Sequence, residues 1–151
     1  CIFSDACAFH YDRLKQQPEK FSKGVYERMT TGFSYTNIDY ANAIRAREVW
    51  KQALFKVFNS VDIILSPTLP TLVPPVEEDK SLLQATKDAT RNTYAGALGQ
   101  IPGLSIPCGF TSDGLPIGLQ LEAAWWNDPL LLRAGHTFQK ETDWHLKTPK
   151  I

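Results

Sequence analysis

The candidate nucleophiles in this chain of 151 residues are Ser105, Cys108 and Cys1. Ser105 lies in a predicted strand and lacks the Gly-x-Ser-x-Gly sequence that exposes a nucleophilic serine at a strand-to-helix turn. Cys108 follows a proline and has no neighbouring base, which is typical of an unreactive core thiol. We therefore interpret Ser105 as a strand serine bonded to a neighbour and Cys108 as a buried thiol. Covalent reactivity of either one is the alternative.

Cys1 stands at the first position of the chain. An N-terminal cysteine can act as a nucleophile that its own α-amine activates. That chemistry requires precise self-cleavage and usually a sandwich of two sheets, which the predicted strand content does not support. We expect Cys1 to mark proteolysis or a boundary within a longer polypeptide, with an N-terminal-nucleophile hydrolase as the alternative.

The histidines are spaced unlike metal ligands. His10, His136 and His145 lie far apart and lack an i, i+4 pair or cysteine partners. The glycines show no phosphate-binding pattern either. We predict neither a metal nor a cofactor.

Arg28 is the charged residue with the most specific potential role, four residues before Gly32 at the end of a predicted helix. The planar guanidinium can bind a carboxylate through two parallel hydrogen bonds. It could therefore hold a substrate carboxylate. The alternative is a surface arginine that pairs with Glu27 or Asp39.

The overall composition indicates a globular protein, with 43% hydrophobic and 21% charged residues. Sixteen basic residues balance sixteen acidic ones, which argues against nucleic acid or an anionic membrane as a partner. No apolar run reaches the roughly 20 residues of a membrane helix. Three cysteines make no even disulfide set, and this favours a reducing, cytoplasmic location. We expect residues 1–151 to form a single domain or a segment of one.

Helices dominate the predicted secondary structure. The clearest spans residues 37–59, where apolar and small residues recur at spacings of three and four and Thr36 or Asn37 can cap the first turn. Asn127, Asp128 and Pro129 are typical of another helix start. Further helices are predicted over residues 4–16, 18–31 and 82–98, and a Pro-rich acidic loop over residues 71–81.

Three strands complete the prediction. The β-branched run at residues 61–65 indicates a buried strand. Residues 105–108 and 116–121 form a predicted hairpin, in which Gly114 supplies the positive φ of a tight turn. Three strands and five helices indicate a layered α/β arrangement whose sheet is thin, so we expect some of its strands to lie outside this chain.

The order of these motifs resembles the C-terminal third of the amidase signature family, which includes the A subunit of glutamyl-tRNA amidotransferase. The resemblance covers nearly the whole chain. The matching segments are Arg28 before Gly32, Asp39-Tyr40, the run at residues 61–68, PGLSIPCG at 102–109, GLPIGLQL at 114–121, the helix with residues 131–134, and Asp143-Trp144-His145.

The resemblance implies an α/β/α fold with a large mixed central sheet. It also implies hydrolysis of a carboxamide, or transfer of its nitrogen, through an acyl-enzyme. The Ser–cis-Ser–Lys triad of the family lies in its N-terminal part, so no catalytic residue is assigned here. Arg28 matches the arginine that contacts the substrate carboxylate in the amidotransferase subunit.

The resemblance also implies partners. We expect the N-terminal part of the same enzyme and a small-molecule amide, with a homo-oligomer left open and the isolated chain inactive. Ala97 and Gln100 stand where many members have Asn and Gly, and Thr90 falls near the position of an acid that holds the substrate amine. These departures argue against glutamine as the substrate. A non-catalytic structural or interaction module is the alternative function.

Overall fold

The computed structural model describes residues 1–73 and 82–148. Its chain divides into two compact units, Cys1–Val49 and Trp50–Ile151, and the boundary falls inside the longest helix. The acidic group Glu77, Glu78 and Asp79 lies outside the described residues. None of the described helices is both long and apolar enough to cross a membrane. That residues 1–151 act as one domain stays a prediction.

The first unit consists of helices and short 3-10 turns. Its elements are α1 (Ile2–Phe9), α2 (Tyr11–Gln16), a 3-10 turn (Pro18–Lys20), α3 (Lys23–Thr30), a second 3-10 turn (Thr31–Ser34) and the first part of α4 (Asn37–Phe58).

Two predicted helices differ from the observed ones. The single helix predicted over residues 4–16 is broken at His10, whose φ and ψ are −98° and 13°. This break costs few hydrogen bonds, because His10 N–H still donates to Ala6 and the His10 carbonyl accepts from Leu14. The helix predicted over residues 18–31 begins only at Lys23, after the 3-10 turn Pro18–Lys20, and the chain continues beyond it as the 3-10 turn Thr31–Ser34.

The core of this unit is small. Cys7 and Leu14 are its buried apolar side chains among the described residues. A Cβ atom at Gly32 would collide with the carbonyl of Phe3 and the Cβ of Cys7, so only glycine permits α1 to approach this closely. Burial raises the pKa of the Cys7 thiol.

Helix α4 has a reciprocal cap at its start, as predicted for Thr36. The Asp39 amide donates to Thr36 Oγ1 at 3.1 Å, and the Thr36 amide donates to Asp39 Oδ2 at 2.9 Å. The Thr36 amide and the Thr36 hydroxyl both donate to the Asp39 carboxyl, and these two bonds lower its pKa.

The second unit combines a sheet with helices. Its elements after α4 are β1 (Ile63–Pro67), α5 (Leu82–Ala89), α6 (Arg91–Gly99), β2 (Gly103–Phe110), β3 (Pro116–Ala123), α7 (Asp128–Glu141) and a 3-10 turn (Trp144–Leu146). The helix predicted over residues 82–98 is thus two helices, because the chain leaves the helical region at Thr90. The break again keeps its flanking bonds, from Thr90 N–H to Thr86 and from Tyr94 N–H to Thr90.

The three described strands pair in the order β1-β3-β2, and both pairs are antiparallel. The predicted hairpin is confirmed, and Gly114 has the expected positive φ of 81°. A bulge interrupts β2 between Pro107 and Gly109. Strand β1 begins two residues later than predicted. The parallel strands of a mixed sheet are not among the described residues.

One face of the sheet carries the apolar core against α7. Its buried members are Ile106, Leu121, Ala123 and Leu131. Partly buried side chains pack around them: Ile63, Leu104, Leu119, Leu130, Ala134 and Phe138. The predicted start of α7 is confirmed, with Pro129 in its first turn.

Candidate functional site

Arg28 lies in the last turn of α3 and is partly buried. Its Nε atom is buried and has no hydrogen-bond partner. Within the described ranges, the structure shows no ion pair of Arg28 with Glu27 or Asp39, and the Asp39 carboxylate is bonded to Thr36 instead. A buried donor without an acceptor is costly, and a ligand carboxylate would satisfy it.

The second unit, taken by itself, has a polar face on the side of its sheet opposite α7. Gln120 on β3 lies opposite Ser105 on β2 and Ser66 on β1, so these three side chains share a face. Gln120 is 5% exposed and Glu122, two residues on, is 8% exposed. Buried polar side chains of this kind are uncommon in a core and call for partners.

Glu122 sits beneath helix α6. A Cβ at Gly96 would collide with the Glu122 carboxyl oxygen, so the absence of a side chain there makes room for it. Burial raises the pKa of the Glu122 carboxyl, and a hydrogen bond with Gln120 opposes this shift in part. The carboxyl therefore holds its proton to higher pH than a solvated glutamate does.

The end of the polar face nearest the β1 C-terminus carries two linked hydroxyls. Thr68 Oγ1 lies 2.6 Å from Ser105 Oγ, and the Thr68 amide donates to the Gly118 carbonyl at 2.8 Å. A Cβ at Gly118 would come within 2.8 Å of Thr68 Oγ1. Asn92 Nδ2 on α6 donates to the Pro67 carbonyl at 2.7 Å and so fixes the end of β1. Thr68 is therefore positioned by its amide bond to Gly118 and by the bond from Asn92 to the preceding residue.

The two hydroxyls are hydrogen-bonded to each other. Within the described parts of the chain, no lysine, histidine or carboxylate is hydrogen-bonded to Ser105 or Thr68. A serine nucleophile requires such a base. The interpretation of Ser105 as a strand serine bonded to a neighbour is confirmed.

The other sequence candidates stay apart. The Cys108 thiol is half-buried and donates to the Ile117 carbonyl at 3.5 Å. His10 lies edge-on to the rings of Phe9 and Phe21, with its Nδ1 buried and unpartnered. In residues 1–73 and 82–148, no three His, Cys, Asp or Glu side chains are grouped as metal ligands.

Sequence reasoning did not single out Gln120 and Glu122. Their alternation with Leu119 and Leu121 indicates an outward face, yet α6 covers that face at the Glu122 end. The available signal was Gly96, a small residue in the middle of a predicted helix, which marks a close approach.

Comparison with known families decides the classification. A family model described as Amidase matches residues 14–132, which is most of the chain. The chain belongs to the amidase family. The predicted α/β class and the amidase resemblance are both confirmed.

Relatives in this family are considerably longer than the chain. It is 36% identical to the A subunit of glutamyl-tRNA(Gln) amidotransferase from Methanosarcina barkeri, over 89% of this chain and 29% of that protein. It is 31% identical to an amidase from Pseudomonas putida, over 99% of this chain and 33% of that protein. The chain therefore spans about a third of the length of the amidase-family relatives that it matches.

Two solved structures support the same family assignment. A crystal structure of an amidase superposes with a TM-score of 0.80 and 29% identity, covering 92% of this chain and 33% of the other. A protein described as part of a vestigial complex related to an s-triazine catabolic enzyme gives a TM-score of 0.81 at 26% identity, over 97% and 35%.

Proposed function

We propose that this chain is the C-terminal part of an amidase that hydrolyses a carboxamide, or transfers its nitrogen, by Ser–cis-Ser–Lys acyl-enzyme chemistry. The match of the amidase family model over residues 14–132 carries this proposal. Both the hydrolytic and the transferring types are represented among its relatives, by an amidase and by an amidotransferase subunit.

The catalytic groups of such an enzyme lie outside this chain. A serine activated by a neighbouring base would attack the amide carbonyl, and the nitrogen would leave with a proton as ammonia or an amine. Water would then cleave the acyl-enzyme, or the nitrogen would pass to an acceptor. Among the described residues, neither Ser105 nor Thr68 is hydrogen-bonded to a lysine, a histidine or a carboxylate, which supports a role of this chain in substrate binding and support rather than in the covalent steps.

Arg28 is the residue we propose to bind a substrate carboxylate. Its buried, unpartnered Nε supports this role, since a carboxylate would provide the missing acceptor. A charge-assisted hydrogen bond contributes about 1.5–3 kcal/mol, which is roughly a ten- to hundredfold change in affinity.

The assignment of Arg28 predicts that its removal affects KM for carboxylate-bearing amides but not for neutral ones. In the natural polypeptide that contains this chain, Arg28→Ala should raise KM for a carboxylate-bearing amide roughly ten- to hundredfold and leave a neutral amide of similar size unaffected. Arg45→Ala, which removes an exposed arginine from α4, serves as the matched control. Equal effects of Arg28→Ala on both amides would contradict the assignment.

The experiment for the function itself compares two proteins. Intact-mass measurement of the natural product shows whether a longer polypeptide exists, and steady-state assays with a panel of amides compare it with the 151-residue chain. We expect turnover by the longer protein and none by the isolated chain. Turnover by the isolated chain that Ser105→Ala abolishes would refute the proposal. A product without upstream sequence and without activity would indicate a non-catalytic module instead.

Partners and location follow from the same proposal. We propose the N-terminal part of the enzyme and a small amide as partners, and the cytoplasm as the location. The balanced charge and the three free cysteines support this placement. Velocity sedimentation of the natural polypeptide would test whether a homo-oligomer also forms.

A further inference from the structure

The first unit contains two adjoining cavities that the proposed reaction does not use. The larger has a volume of about 490 Å³ and the smaller about 300 Å³, and both are lined by Tyr35 and Tyr40. The volume of the larger one falls in the range of small-molecule pockets, about 300–1,000 Å³. We call the two together the aromatic groove.

Aromatic rings form much of its wall. Tyr11 and Phe33 line the larger cavity beside Tyr35 and Tyr40, and all four rings are between 37% and 50% exposed. Tyr11 and Phe33 contact each other edge to face, with ring centroids 5.9 Å apart. The face of an aromatic ring carries partial negative charge, which attracts cations.

The charged side chains of the groove are all acidic. Asp5 lines the larger cavity and Asp39 the smaller, and no lysine, arginine or histidine lines either one among the described residues. The bonds from Thr36 lower the pKa of Asp39, so this carboxyl is ionised at neutral pH. The groove therefore combines two carboxyl side chains with partly exposed aromatic residues.

Tyr40 connects the two features. Its hydroxyl donates to Asp5 Oδ1 at 2.9 Å, and this bond together with the Asp5 charge raises the pKa of the phenol, which stays neutral. The positive charge of Arg47 opposes that shift in part, while Arg47 itself lies 3.7 Å from a Glu48 oxygen. The neutral phenol thus adds no charge to the groove.

The fold already shows one such contact. Lys15 Nζ lies over the ring of Tyr11, 4.1 Å from its centroid, and donates to the Tyr11 hydroxyl. A ring of this groove therefore accepts an ammonium group from the chain itself. The neighbouring rings of Tyr35 and Tyr40 carry no such partner among the described residues.

We propose that the aromatic groove binds a small organic ammonium ion. The carboxylates of Asp5 and Asp39 supply the opposite charge, and the faces of Tyr35 and Tyr40 supply cation–π contacts. A neutral ligand of the same shape gains neither the attraction to the carboxylates nor the cation–π contacts, so the charge of the ligand decides the affinity. This proposal does not depend on the proposed function.

Choline and 3,3-dimethyl-1-butanol provide the test, because they differ in a quaternary nitrogen against a quaternary carbon. Titration calorimetry on the natural polypeptide that contains this chain should show choline binding at least about tenfold more tightly than the alcohol. Tyr35→Leu should weaken choline binding about two- to fivefold, the usual effect of one exposed cation–π contact, whereas Tyr35→Phe should keep it.

The carboxylates are tested with a matched pair. Asp39→Asn should weaken choline binding, and Asp12→Asn, which neutralises an exposed aspartate of α2 that lines neither cavity, should not. Circular dichroism confirms that each variant is folded. Equal binding of choline and the alcohol, no binding of choline, or equal losses for Asp39→Asn and Asp12→Asn would each overturn the proposal.

Discussion

Glu122 gives the sharpest test of the polar sheet face. Its carboxyl is buried beneath Gly96, and burial raises its pKa above the ordinary value of 4.5. The folded protein therefore binds this proton more tightly than the unfolded chain does. It follows that the contribution of Glu122 to stability is complete below about pH 4.5 and is lost as pH rises through the folded pKa.

Replacement of Glu122 by glutamine removes the titration and keeps the shape. Gln resembles the protonated carboxyl, so the variant and the wild type should be about equally stable at acidic pH. Between the unfolded and the folded pKa, the free energy of unfolding of the wild type falls by at most about 1.4 kcal/mol per pH unit relative to the variant. Above the folded pKa, the difference should reach a plateau with the variant more stable.

Urea unfolding between pH 4.5 and pH 8 measures this difference. Trp125 is a suitable fluorophore, because its Nε1 donates to the Gly99 carbonyl at the end of α6. A change of about 1 kcal/mol in the free energy of unfolding moves the urea midpoint by about 0.3–1 M. Glu141→Gln, which removes an exposed carboxyl from α7, is the control for the loss of one acidic side chain. A Glu122→Gln difference that is independent of pH, or that reverses sign, would refute the reasoning.

Two further predictions concern the sheet. Gly118→Ala should lower the free energy of unfolding by about 1–3 kcal/mol, because its Cβ would lie 2.8 Å from Thr68 Oγ1 and 3.1 Å from Thr68 Cβ. Gly103→Ala, whose Cβ would be 3.9 Å from Glu122, is the control and should be near neutral in the same melts. Equal losses for the two variants would contradict the contact. The isolated 151-residue chain should be marginally stable or self-associate, because the apolar side chains of Leu65, Trp126 and Leu132 are more than 60% exposed. Sedimentation and thermal melting measure this. A monomer with a sharp melt above about 65 °C would show that the chain completes its own core.

The elements that sequence predicted well are those set by local patterns. Helix α4 follows an apolar repeat with a capping threonine, and the β2–β3 hairpin follows a turn that needs the positive φ of Gly114. The breaks at His10 and Thr90 escaped prediction because each keeps its flanking helix hydrogen bonds and involves neither proline nor glycine. Nothing in the local sequence distinguishes such a break from a continuous helix.

The candidate functional residues of the two units were predictable only in part. Arg28 could be selected from its spacing to Gly32, but its unpartnered Nε depends on packing that sequence does not reveal. The burial of Glu122 depends on α6, a separate element that covers one end of the sheet face. The aromatic groove draws on side chains as distant in sequence as Asp5 and Tyr40, so only the folded chain brings them together.

The hydroxyl pair at the open end of the polar face limits what can cover it. Thr68 and Ser105 have two O–H donors, and the bond between them uses one. Either oxygen can be the donor, so the remaining O–H belongs to Ser105, which is exposed, or to Thr68, which is partly buried. An apolar segment placed over this end would bury that donor without a partner, at a cost of about 1–3 kcal/mol. A segment that covers this end of the polar face should therefore bring an oxygen acceptor, such as a backbone carbonyl, to the hydroxyl pair.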